Sequence, residues 1–465
     1  MTAGSPRTIA AVASGKIARV ALQRLGRGAT ALPGVIALRV APNAIAELSA
    51  TLSQGAVCVS GTNGKTTTTR MLSDIVRIAG WQPVHNRSGS NLDRGIAAAL
   101  LADATWGGEV RGNVGIFEVD EASVPRVLAR LAPRVLVITN LFRDQLDRYF
   151  EIDALAQRIG NAIAGLREST TLVLNADDPI VAYLAERHRG PVLMFGVDDP
   201  TVGGTVPQAI SDATRCPRCK QPLAYRRVIL AHVGDWYCAY CGLERAPRDV
   251  SAAEVRLEEN ASRVRLGGAV ASAVDEVVVP LPGLYNAYNA LAAIAAARAL
   301  DISLGTATRA LASFKAAFGR LETIEAEGRR LRLVLVKNPA GFNAAIGALL
   351  ETDRHPRILA ALNDRDADSR DVSWIWDADF EALAPRVAHA TVTGLRGRDL
   401  ALRLKYAGVP RERVTVVDGW VAAIRAAIAG TPAGDELVVI ATYTAMLALR
   451  AALSRLGYVG QFWED

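Results

Sequence analysis

Residues 59–68, V-S-G-T-N-G-K-T-T-T, decide the fold of this chain. They follow the apolar, strand-like run Ala56–Val59 and precede a segment of helical character, Thr69–Ile78. A strand, a glycine-rich turn and a helix N-terminus form the context of a phosphate-binding loop. Glycines let the backbone approach phosphate oxygens, and the helix N-terminus favours negative charge. The stretch therefore predicts an α/β domain that binds a nucleotide.

Two side chains of this loop carry the predicted chemistry. Lys65 can reach the β- and γ-phosphates of a nucleotide, and the Thr66 hydroxyl can bind Mg²⁺. The common spacing G-x-x-x-x-G-K-[ST] would place glycine where this chain has Val59, so the pattern is the shorter, more specific G-T-N-G-K-T-T. An accidental Gly-Lys-Thr turn is the alternative, and the flanking strand and helix argue against it. The predicted ATP-binding residues of the loop are Gly61, Thr62, Asn63, Gly64, Lys65, Thr66 and Thr67.

The composition bounds the class of protein. The chain has 465 residues, of which 50% are hydrophobic and 22% are charged, enough for two or three globular domains with sizeable cores. Its formal net charge of +6 permits an anionic partner, such as a nucleotide or a lipid surface, without requiring one. We find no uninterrupted apolar run of about 18 residues and therefore predict no transmembrane helix.

The N-terminal segment, residues 1–50, is basic. No aspartate or glutamate occurs before Glu47, and apolar residues recur at roughly helical spacing. The segment lacks the clean apolar region and cleavage site of a signal peptide. Two interpretations stay open: a basic helix at a membrane surface, and an ordinary helix docked on the rest of the protein. The cations of the segment are Arg7, Lys16, Arg19, Arg24, Arg27 and Arg39.

Four of the five cysteines form two C-x-x-C pairs, separated by residues 220–237. This is the spacing of a zinc ribbon, in which four thiolates surround one structural Zn²⁺. Redox-active or disulfide-bonded pairs are the alternative, and the lack of a secretion signal argues against them. The fifth cysteine, Cys58, lies in the strand before the loop and is predicted to be a core residue. The predicted zinc ligands are Cys216, Cys219, Cys238 and Cys241.

Strand-like and helical segments alternate from about residue 51, which predicts a parallel α/β sheet with helices on both faces. We place a central ATP-binding domain at 51–315, with the zinc ribbon inserted at 212–246, and a C-terminal Rossmann-like α/β domain at 316–465. The predicted strands after the loop are Val114–Val119, Val135–Thr139, Leu172–Leu174, Val192–Phe195, Val255–Leu266, Glu276–Pro280, Leu331–Val336, Arg357–Leu362, His389–Val392, Arg413–Val417 and Glu436–Thr442.

Acidic and amide side chains lie at or just after the C-terminal ends of predicted strands, at the sheet edge where open α/β sheets bind ligands. Glu118, in F-E-V-D-E-A, is our first candidate to hold Mg²⁺ against nucleotide phosphates, although such a strand end is also a common start of a solvated helix. The next predicted strand is followed by four polar residues that could order a second cation or the transferred phosphate, or form a capped loop. These four are Asn140, Arg143, Asp144 and Asp147.

Two further groups complete the predicted nucleotide site. Asn286 and Asn289 lie three residues apart, on one helical face where the segment Leu281–Ala290 opens the helical stretch Ala287–Leu300, and could meet a purine edge. Helix capping by Asn286 is the plain alternative. Arg320, at the domain junction, can reach nucleotide phosphate across the cleft, although a solvated surface arginine is the usual case.

The order of these motifs resembles the Mur ligase superfamily: G-T-N-G-K-T-T, E-V-D-E, T-N-L-x-x-D-x-L-D, N-A-D-D-P, G-x-x-N-x-x-N and G-R-x-E. The resemblance covers about residues 51–322. It implies that ATP activates a carboxylate as an acyl phosphate, which an amine then attacks. The short N-terminal segment, the four-cysteine insertion and the stretches V-K-N-P-A-G-F-N (336–343) and D-V-S-W-I-W-D (371–377) resemble one branch, the MurT family of lipid II isoglutaminyl synthase subunits.

This branch implies amidation of the α-carboxylate of D-isoglutamate in the lipid II stem peptide, with Lys65, Thr66, Glu118 and Mg²⁺ at the phosphates of ATP. Ammonia would come from a GatD-type class I glutamine amidotransferase, because this chain shows no Cys–His–Glu glutaminase constellation. By the same resemblance an aspartate completes the partner's Cys–His pair, and we favour Asp377 over Asp371. Helix capping by either aspartate is the alternative. The resemblance places the enzyme in the cytoplasm, with peripheral contact at the inner face of the membrane as a further expectation.

One departure from the wider superfamily is Gln145, which stands where those ligases have histidine. Glutamine cannot act as an imidazole ligand, so a metal at that place must be held differently or more weakly. Two rival interpretations remain. One is a Mur-like or folylpolyglutamate-type ligase that adds an amino acid, and the other is a non-enzymatic ATP-binding scaffold or nucleic-acid module. We expect no nucleic-acid partner, because the basic and aromatic residues around the ribbon form only a small patch.

Overall fold

The computed structural model describes residues 5–24, 31–86, 90–142, 151–204, 213–258, 260–270, 276–315, 320–350, 355–365, 368 and 370–459. Over these described residues the chain divides into two compact units, of which the first ends at Phe314 and the second begins at Lys315. Each unit is built around its own β-sheet. Over the described ranges, no helix is both long enough and apolar enough to cross a membrane.

Strands of mostly apolar sequence form the framework of the first unit. They are β1 (Ala56–Ser60), β2 (Pro83–His85), β3 (Val114–Glu118), β4 (Val135–Ile138), β5 (Thr171–Asn175), β6 (Val192–Val197), β7 (Ala224–Leu230), β8 (Val233–Tyr237), β9 (Val250–Leu257), β10 (Ser262–Gly268) and β11 (Glu276–Val279). β1, β3 and β4 are buried along their whole length, as expected of parallel strands covered on both faces.

Nine of these strands form one sheet in the order β11-β10-β9-β6-β5-β4-β1-β3-β2. Within this order the seven strands β9, β6, β5, β4, β1, β3 and β2 pair in parallel, which confirms the predicted parallel sheet around the phosphate loop. β10 and β11 add an antiparallel edge. The sequence stretch Val255–Leu266 therefore belongs to two strands and not to one. It folds back at a turn in which the Glu258 N–H donates to the Ala261 carbonyl at 2.8 Å.

Helices cover both faces of this sheet. They are α1 (Pro6–Arg24), α2 (Leu32–Val40), α3 (Ala44–Ser49), α4 (Lys65–Ile78), α5 (Asp93–Asp103), α6 (Val124–Leu131), α7 (Glu151–Ala164), α8 (Pro179–Tyr183), α9 (Leu284–Ala299) and α10 (Leu304–Ala312). Cys58, Leu136 and Leu172 point from three strands into a core shared with α3, α5, α6 and α7. α4 contacts β1 and β3, and α9 contacts β5 and β6. Because strand side chains alternate in direction, both faces of these strands must be apolar.

Helix α4 begins at Lys65, earlier than the predicted start at Thr69. Its N-cap residue, Gly64, has φ 84°, a conformation that glycine adopts without the steric cost of a side chain. The glycine ends the loop so tightly that the helix starts at the next residue. The helix N-terminus therefore follows the carboxyl end of β1 directly.

The N-terminal helices pack on the first unit. α1 contacts α2, α3 and α5, with Ala11 and Val12 fully buried. Gly15 lies so close to α5 that an added Cβ would be 3.1 Å from Leu101 Cδ1. The helix is therefore docked, as one of the two interpretations of the basic segment expects. Its other side is open to solvent, with Ile17 65% exposed.

The four-cysteine insertion lies between β6 and β9 in the chain. Its strands β7 and β8 form a separate antiparallel hairpin. A bridge between Gly204 and Val228 ties this hairpin to the segment that follows β6. The ribbon is thus an insertion between β6 and β9, two neighbouring strands of the sheet that pair in parallel.

The second unit is also α/β. Its strands are β12 (Arg320–Ala326), β13 (Arg329–Leu335), β14 (Arg357–Ala361), β15 (His389–Thr393), β16 (Val414–Val416) and β17 (Glu436–Ala441), and its helices are α11 (Pro339–Leu350), α12 (Phe380–Leu383), α13 (Gly397–Tyr406), α14 (Trp420–Ala429) and α15 (Tyr443–Arg455). The sheet order is β12-β13-β17-β14-β15-β16, parallel except for the β12–β13 hairpin. Ile358 and Ala360 of β14 enter one apolar core, while Leu359 and Ala361 enter another. This alternation shows a sheet with two covered faces.

Candidate active site and metal centre

The phosphate-binding loop lies at the carboxyl end of β1, which is flanked by β3 and β4. Gly61 and Gly64 have φ of 130° and 84°, in the region that favours glycine. A Cβ added to Gly61 would lie 2.2 Å from Thr139 Oγ1, and one added to Gly64 would lie 2.1 Å from Asn289 Oδ1. Both glycines are therefore demanded by conformation and by space, which explains the sequence pattern that identifies the loop.

Polar groups that follow β4 brace this loop. Asn140 Oδ1 accepts a hydrogen bond from Asn63 N at 2.8 Å, and Asn140 Nδ2 donates to Asn63 O at 3.0 Å. Thr139 Oγ1 also donates to Asn63 O, at 2.7 Å. The hydroxyl of Thr62 accepts from Phe142 N at 2.9 Å. Asn140, predicted as a cation or phosphate ligand or as part of a capped loop, thus holds the loop backbone in this structure.

The Lys65 ammonium is buried and folds back over its own loop. Its Nζ donates to Gly61 O at 2.6 Å and to Glu121 Oε2 at 2.9 Å. Lys65 is 5% exposed and Glu121 is 7% exposed, so the pair is shielded from water. A buried ammonium needs such a countercharge, because removal from water strongly destabilises an unpaired ion.

Thr66 and Glu118, the two residues predicted to hold Mg²⁺, meet in the structure. The Thr66 hydroxyl donates to Glu118 Oε2 at 2.7 Å, and both residues are buried. Asn86 fixes the backbone of Glu118 from both sides, with Nδ2 donating to the carbonyl at 2.8 Å and Oδ1 accepting from the amide at 2.9 Å. A hydroxyl and a carboxylate side by side at a phosphate loop form a donor set that fits Mg²⁺, which prefers oxygen ligands.

Asn286 and Asn289 lie against the phosphate loop. Both are buried, and Asn289 Nδ2 donates to Asn286 Oδ1 at 3.2 Å. Asn289 Oδ1 also accepts from Thr68 Oγ1 at 3.4 Å and faces Gly64. Gly283, and not Asn286, is the N-cap residue of α9, so the side chain of Asn286 is not used as that cap. The structure thus joins the pair to the loop, while contact with a purine stays a prediction.

The four ribbon cysteines converge. Their Sγ atoms all lie within 4.8 Å of one another, with 3.6 Å between Cys216 and Cys241 and 3.5 Å between Cys219 and Cys238. A tetrahedral Zn²⁺ with bonds of about 2.3 Å separates its sulfurs by about 3.8 Å, so the cluster fits this ion. All four cysteines are free thiols and not disulfides.

The backbone of the second C-x-x-C pair favours a thiolate. Burial opposes ionisation of Cys238, but the N–H groups of Cys241 and Tyr240 stabilise the anion and lower its pKa to about 7. At Cys216 burial dominates over the N–H groups of Cys219 and Arg218, and the pKa rises to about 12. A bound cation would favour the thiolate at each position.

His232, at the tip of the β7–β8 hairpin, connects the ribbon with the phosphate loop. Its ring centroid lies 4.5 Å from that of Phe142, and its Nε2 lies 3.4 Å from Asp178 Oδ2. The same carboxylate oxygen accepts from Leu141 N at 2.8 Å. Since Phe142 N is bonded to Thr62, the hairpin tip supports the segment that braces the loop.

The neighbouring Asp177 forms a second, fully buried link to the ribbon. Its carboxylate accepts from Arg245 Nε at 2.7 Å and from the Tyr288 hydroxyl at 2.6 Å. Burial raises the pKa of Asp177, and Arg245 and Tyr288 oppose this effect. Trp236 Nε1 donates to Ala176 O at 3.0 Å in the same region. Several basic and aromatic residues around the ribbon thus make internal contacts.

The D-V-S-W-I-W-D segment of the second unit divides between core and surface. Asp371 Oδ1 accepts from Ser373 N at 2.8 Å, and its hydrogen bonds with Ser373 lower the pKa of Asp371. Trp374 is buried in the core, whereas Trp376 is 48% exposed. Asp377 is half-buried and directly follows this exposed tryptophan. Asp371 therefore makes a local capping contact. Capping was the alternative to a role in the partner's active site that the sequence left open for both aspartates.

Several predicted residues lie outside the described part of the chain. Residues 143–150 are not described, and this range includes the predicted residues Arg143, Asp144, Gln145 and Asp147. The side chain of Arg320 is likewise not described, although the backbone of Arg320 begins β12. The roles proposed for these side chains stay predictions.

Three side chains of the site were not among the predicted ones. Glu121 lies in the E-V-D-E run, whose acidic residues could have been predicted to belong to the site. Nothing in the sequence distinguished Glu121 from Asp120. Asn86 and His232 belong to no recognised pattern. Their partners are distant in sequence, and only the packed sheet brings them together.

Comparison with known proteins agrees with this architecture. The Mur ligase middle domain family matches residues 59–212, and the MurT ligase C-terminal family matches residues 335–446. A Streptococcus pneumoniae protein named lipid II isoglutaminyl synthase (glutamine-hydrolyzing) subunit MurT is 33% identical, over 96% of this chain and 97% of its own. The Staphylococcus aureus protein of the same name is 33% identical, over 85% of this chain and 86% of its own.

Among solved structures, MurF from Acinetobacter baumannii has a TM-score of 0.65 at 18% identity, covering 91% of this chain and 80% of that one. This likeness shows the Mur ligase fold. The near full-length match at 33% identity shows the family and confirms the resemblance found in the motifs. This chain, an ATP-dependent ligase, therefore belongs to the MurT family.

Proposed function

We propose that this protein amidates the α-carboxylate of D-isoglutamate in the lipid II stem peptide and so forms D-isoglutamine. The observation that carries the proposal is the near full-length match to relatives named as subunits of lipid II isoglutaminyl synthase. The phosphate loop, with its buried Lys65, Thr66 and Glu118, offers the site for ATP that such a reaction needs. Because the substrate is lipid-linked and ATP is cytoplasmic, we place the reaction at the cytoplasmic face of the membrane.

ATP is needed because a carboxylate has no good leaving group. In the proposed reaction a carboxylate oxygen attacks the γ-phosphate of ATP, the bond to ADP breaks, and an acyl phosphate forms. The Lys65 ammonium would spread the charge that develops on the transferred phosphate, and Glu121 keeps this ammonium in place. Thr66 and Glu118 would hold Mg²⁺, which neutralises phosphate charge when it is bound.

Ammonia then attacks the acyl carbon, phosphate leaves and a proton is lost, which gives the amide. None of the five cysteines of this chain suits a glutaminase nucleophile. Cys58 is fully buried in β1, where burial raises the pKa of its thiol, and the other four form the cluster. We therefore assign glutamine hydrolysis to a separate GatD-type subunit, whose Cys–His pair Asp377 would complete.

We propose Zn²⁺ as the occupant of the four-cysteine cluster, in a structural role. The four sulfurs complete a tetrahedral shell and leave no open position for catalysis. The cluster instead shapes the hairpin whose tip contacts Phe142 and Asp178.

The proposal is tested with the protein alone, ATP, Mg²⁺, lipid II and ammonium, with the stem peptide weighed by mass spectrometry. We expect the mass change of replacing –OH by –NH₂, abolished in Lys65→Ala and retained in Lys405→Ala. Thermal unfolding of both variants shows whether they fold. A gain of an amino-acid residue, when a mixture of amino acids is supplied, would instead establish the rival ligase that extends its substrate. No reaction under either condition would refute both.

A further inference from the structure

One surface of the N-terminal helix has no role in the reaction proposed above. Ile17 and Val20, on α1, are 65% and 48% exposed, and Trp106, in the loop after α5, is 62% exposed. These side chains line one shallow groove, which we call the α1 groove. Large apolar groups gathered on an exposed surface are a sign of an interaction site.

Cations line the same groove. Lys16, Arg19 and Arg24 surround the apolar residues, and the Lys16 ammonium lies 5.4 Å from the ring centroid of Trp106. Burial, followed by the charges of Arg111 and Arg19, lowers the pKa of Lys16. Lys16 therefore lies close enough to Arg19 and Arg111 for their charges to repel, and an anionic neighbour would relieve that repulsion.

The described residues that line the groove include no acid. Asp103, whose charge acts on Lys16, accepts a hydrogen bond from Gly112 N at 2.7 Å. The positive charge of the groove is therefore only partly balanced by the protein itself.

The groove is a fixed platform and not a loose helix. Ala11 and Val12 bury the opposite side of α1, and Gly15 lets the helix approach Leu101 of α5 closely. Trp106 follows that same helix. The exposed apolar groups and the cations are thus held in one arrangement before any partner binds, which lowers the entropic cost of binding.

We propose that this protein binds to an anionic phospholipid surface through the α1 groove. Tryptophan and aliphatic side chains settle at the level of the headgroups, and lysine and arginine pair with lipid phosphates. A second copy of the same groove would bring like charges together, and a nucleic acid would leave the apolar groups without a partner. The inference rests on this surface and not on the reaction. If the proposed function is right, the groove brings the ATP-binding unit to its lipid-linked substrate.

The test is sedimentation of the full-length protein with vesicles of equal parts phosphatidylglycerol and phosphatidylcholine, and with vesicles of phosphatidylcholine alone. We expect binding to the anionic vesicles and weaker binding when salt rises from about 0.1 M to about 1 M, because the Debye length shrinks from about 10 Å to about 3 Å. Lys16→Gln, Arg19→Gln and Arg24→Gln should each weaken binding roughly fivefold. Ile17→Ser combined with Trp106→Ser should weaken it further.

The matched controls change exposed residues outside the groove. Arg309→Gln and Leu395→Ser should bind vesicles like the unaltered protein, and circular dichroism should show every variant folded. Equal binding to both kinds of vesicle, or groove variants that bind as well as the controls, would overturn the inference. Amidation of a lipid-free stem peptide should be equal in all variants. Vesicle binding without any amidation would refute the proposed function alone.

Discussion

Glu118 and Thr66 show how much of this site depends on single side chains. Glu118 reaches the Thr66 hydroxyl because Asn86 holds its backbone at the end of β3. The pair stands next to Lys65, whose ammonium is bonded to Glu121. Each of these contacts joins residues from different elements, so small substitutions should have separable effects.

Glu118→Gln should raise the Mg²⁺ requirement of the enzyme. The substitution keeps the shape of the side chain but removes the charge that attracts the cation, so we expect the Mg²⁺ concentration for half-maximal activity to rise by about tenfold or more. Asp120→Asn is the matched control, because asparagine can still accept the hydrogen bond that Asp120 receives from Ala122 N. An unchanged Mg²⁺ dependence in Glu118→Gln would remove this residue from the metal site.

Glu121→Gln should destabilise the first unit, because it leaves the buried Lys65 ammonium without a countercharge. We expect a loss of about 3 kcal/mol in the free energy of unfolding, measured by urea titration. Lys65→Met combined with Glu121→Gln should recover much of that loss, since both charges are then absent. Equal losses in the single and double variants would show that the ion pair is not what Glu121 contributes.

At the scale of elements, turns decide where the sequence pattern and the structure differ. Helix α4 begins at Lys65 because Gly64 ends the loop tightly, and the turn at Glu258 divides one alternating stretch into β9 and β10. The alternating pattern predicts a strand but does not indicate where the chain reverses direction. The β7–β8 hairpin adds a further element whose position matters, because its tip reaches Phe142.

Loss of a zinc ligand should therefore weaken the nucleotide site from a distance. Cys238→Ser is expected to lower zinc content, reduce the melting temperature by several degrees and raise the KM for ATP. The reason is that the hairpin carrying His232 loses its anchor beside Phe142 and Asp178. Metal analysis, thermal unfolding and kinetics measure the three effects.

Cys58→Ala is the matched control for that experiment. Cys58 is buried in β1, outside the cluster, so this variant should keep its full zinc content. A Cys238→Ser protein that loses zinc but keeps the KM for ATP would show that the ribbon does not support the loop.

At the scale of the whole molecule, we expect substitutions of Asp377 and of Asp371 to have different effects on amidation by a complex with a glutaminase. In a reconstituted complex, Asp377→Asn should reduce glutamine-dependent amidation by on the order of a hundredfold or more, because the partner's histidine loses the group that orients it. Amidation with free ammonium should not change. Both rates are read from the same mass spectrometric assay.

Asp371→Asn provides the comparison. Its carboxylate caps the turn at Ser373, and asparagine can accept the same hydrogen bond, so both rates should stay close to those of the unaltered protein. The opposite pattern, with Asp371→Asn losing only the glutamine-dependent rate, would move the partner contact to Asp371.

The sequence by itself determined the local features of this protein. The glycine spacing of residues 61–64 identified the phosphate loop, and the two C-x-x-C pairs identified the cluster. The apolar and alternating runs identified most of the strands, but not β2, β7, β8 or β12. These features are readable because each depends on neighbours in the chain: a backbone conformation, a ligand spacing or an alternation of side chains. Thr66 and Glu118 could be paired in advance because Thr66 follows β1 and Glu118 ends β3, and the carboxyl ends of parallel strands share one edge of the sheet.

Only the tertiary structure decided the contacts that hold these features in place. Glu121 beside Lys65, Asn86 on Glu118 and His232 against Phe142 each join residues far apart in the chain. Such contacts depend on the order and register of the strands, which local sequence does not encode. The N-terminal helix α1 shows that the sequence alone does not decide such packing. Its basic sequence permitted either a docked helix or a helix at a membrane surface. In the structure it is docked, and its exposed side forms a positively charged groove.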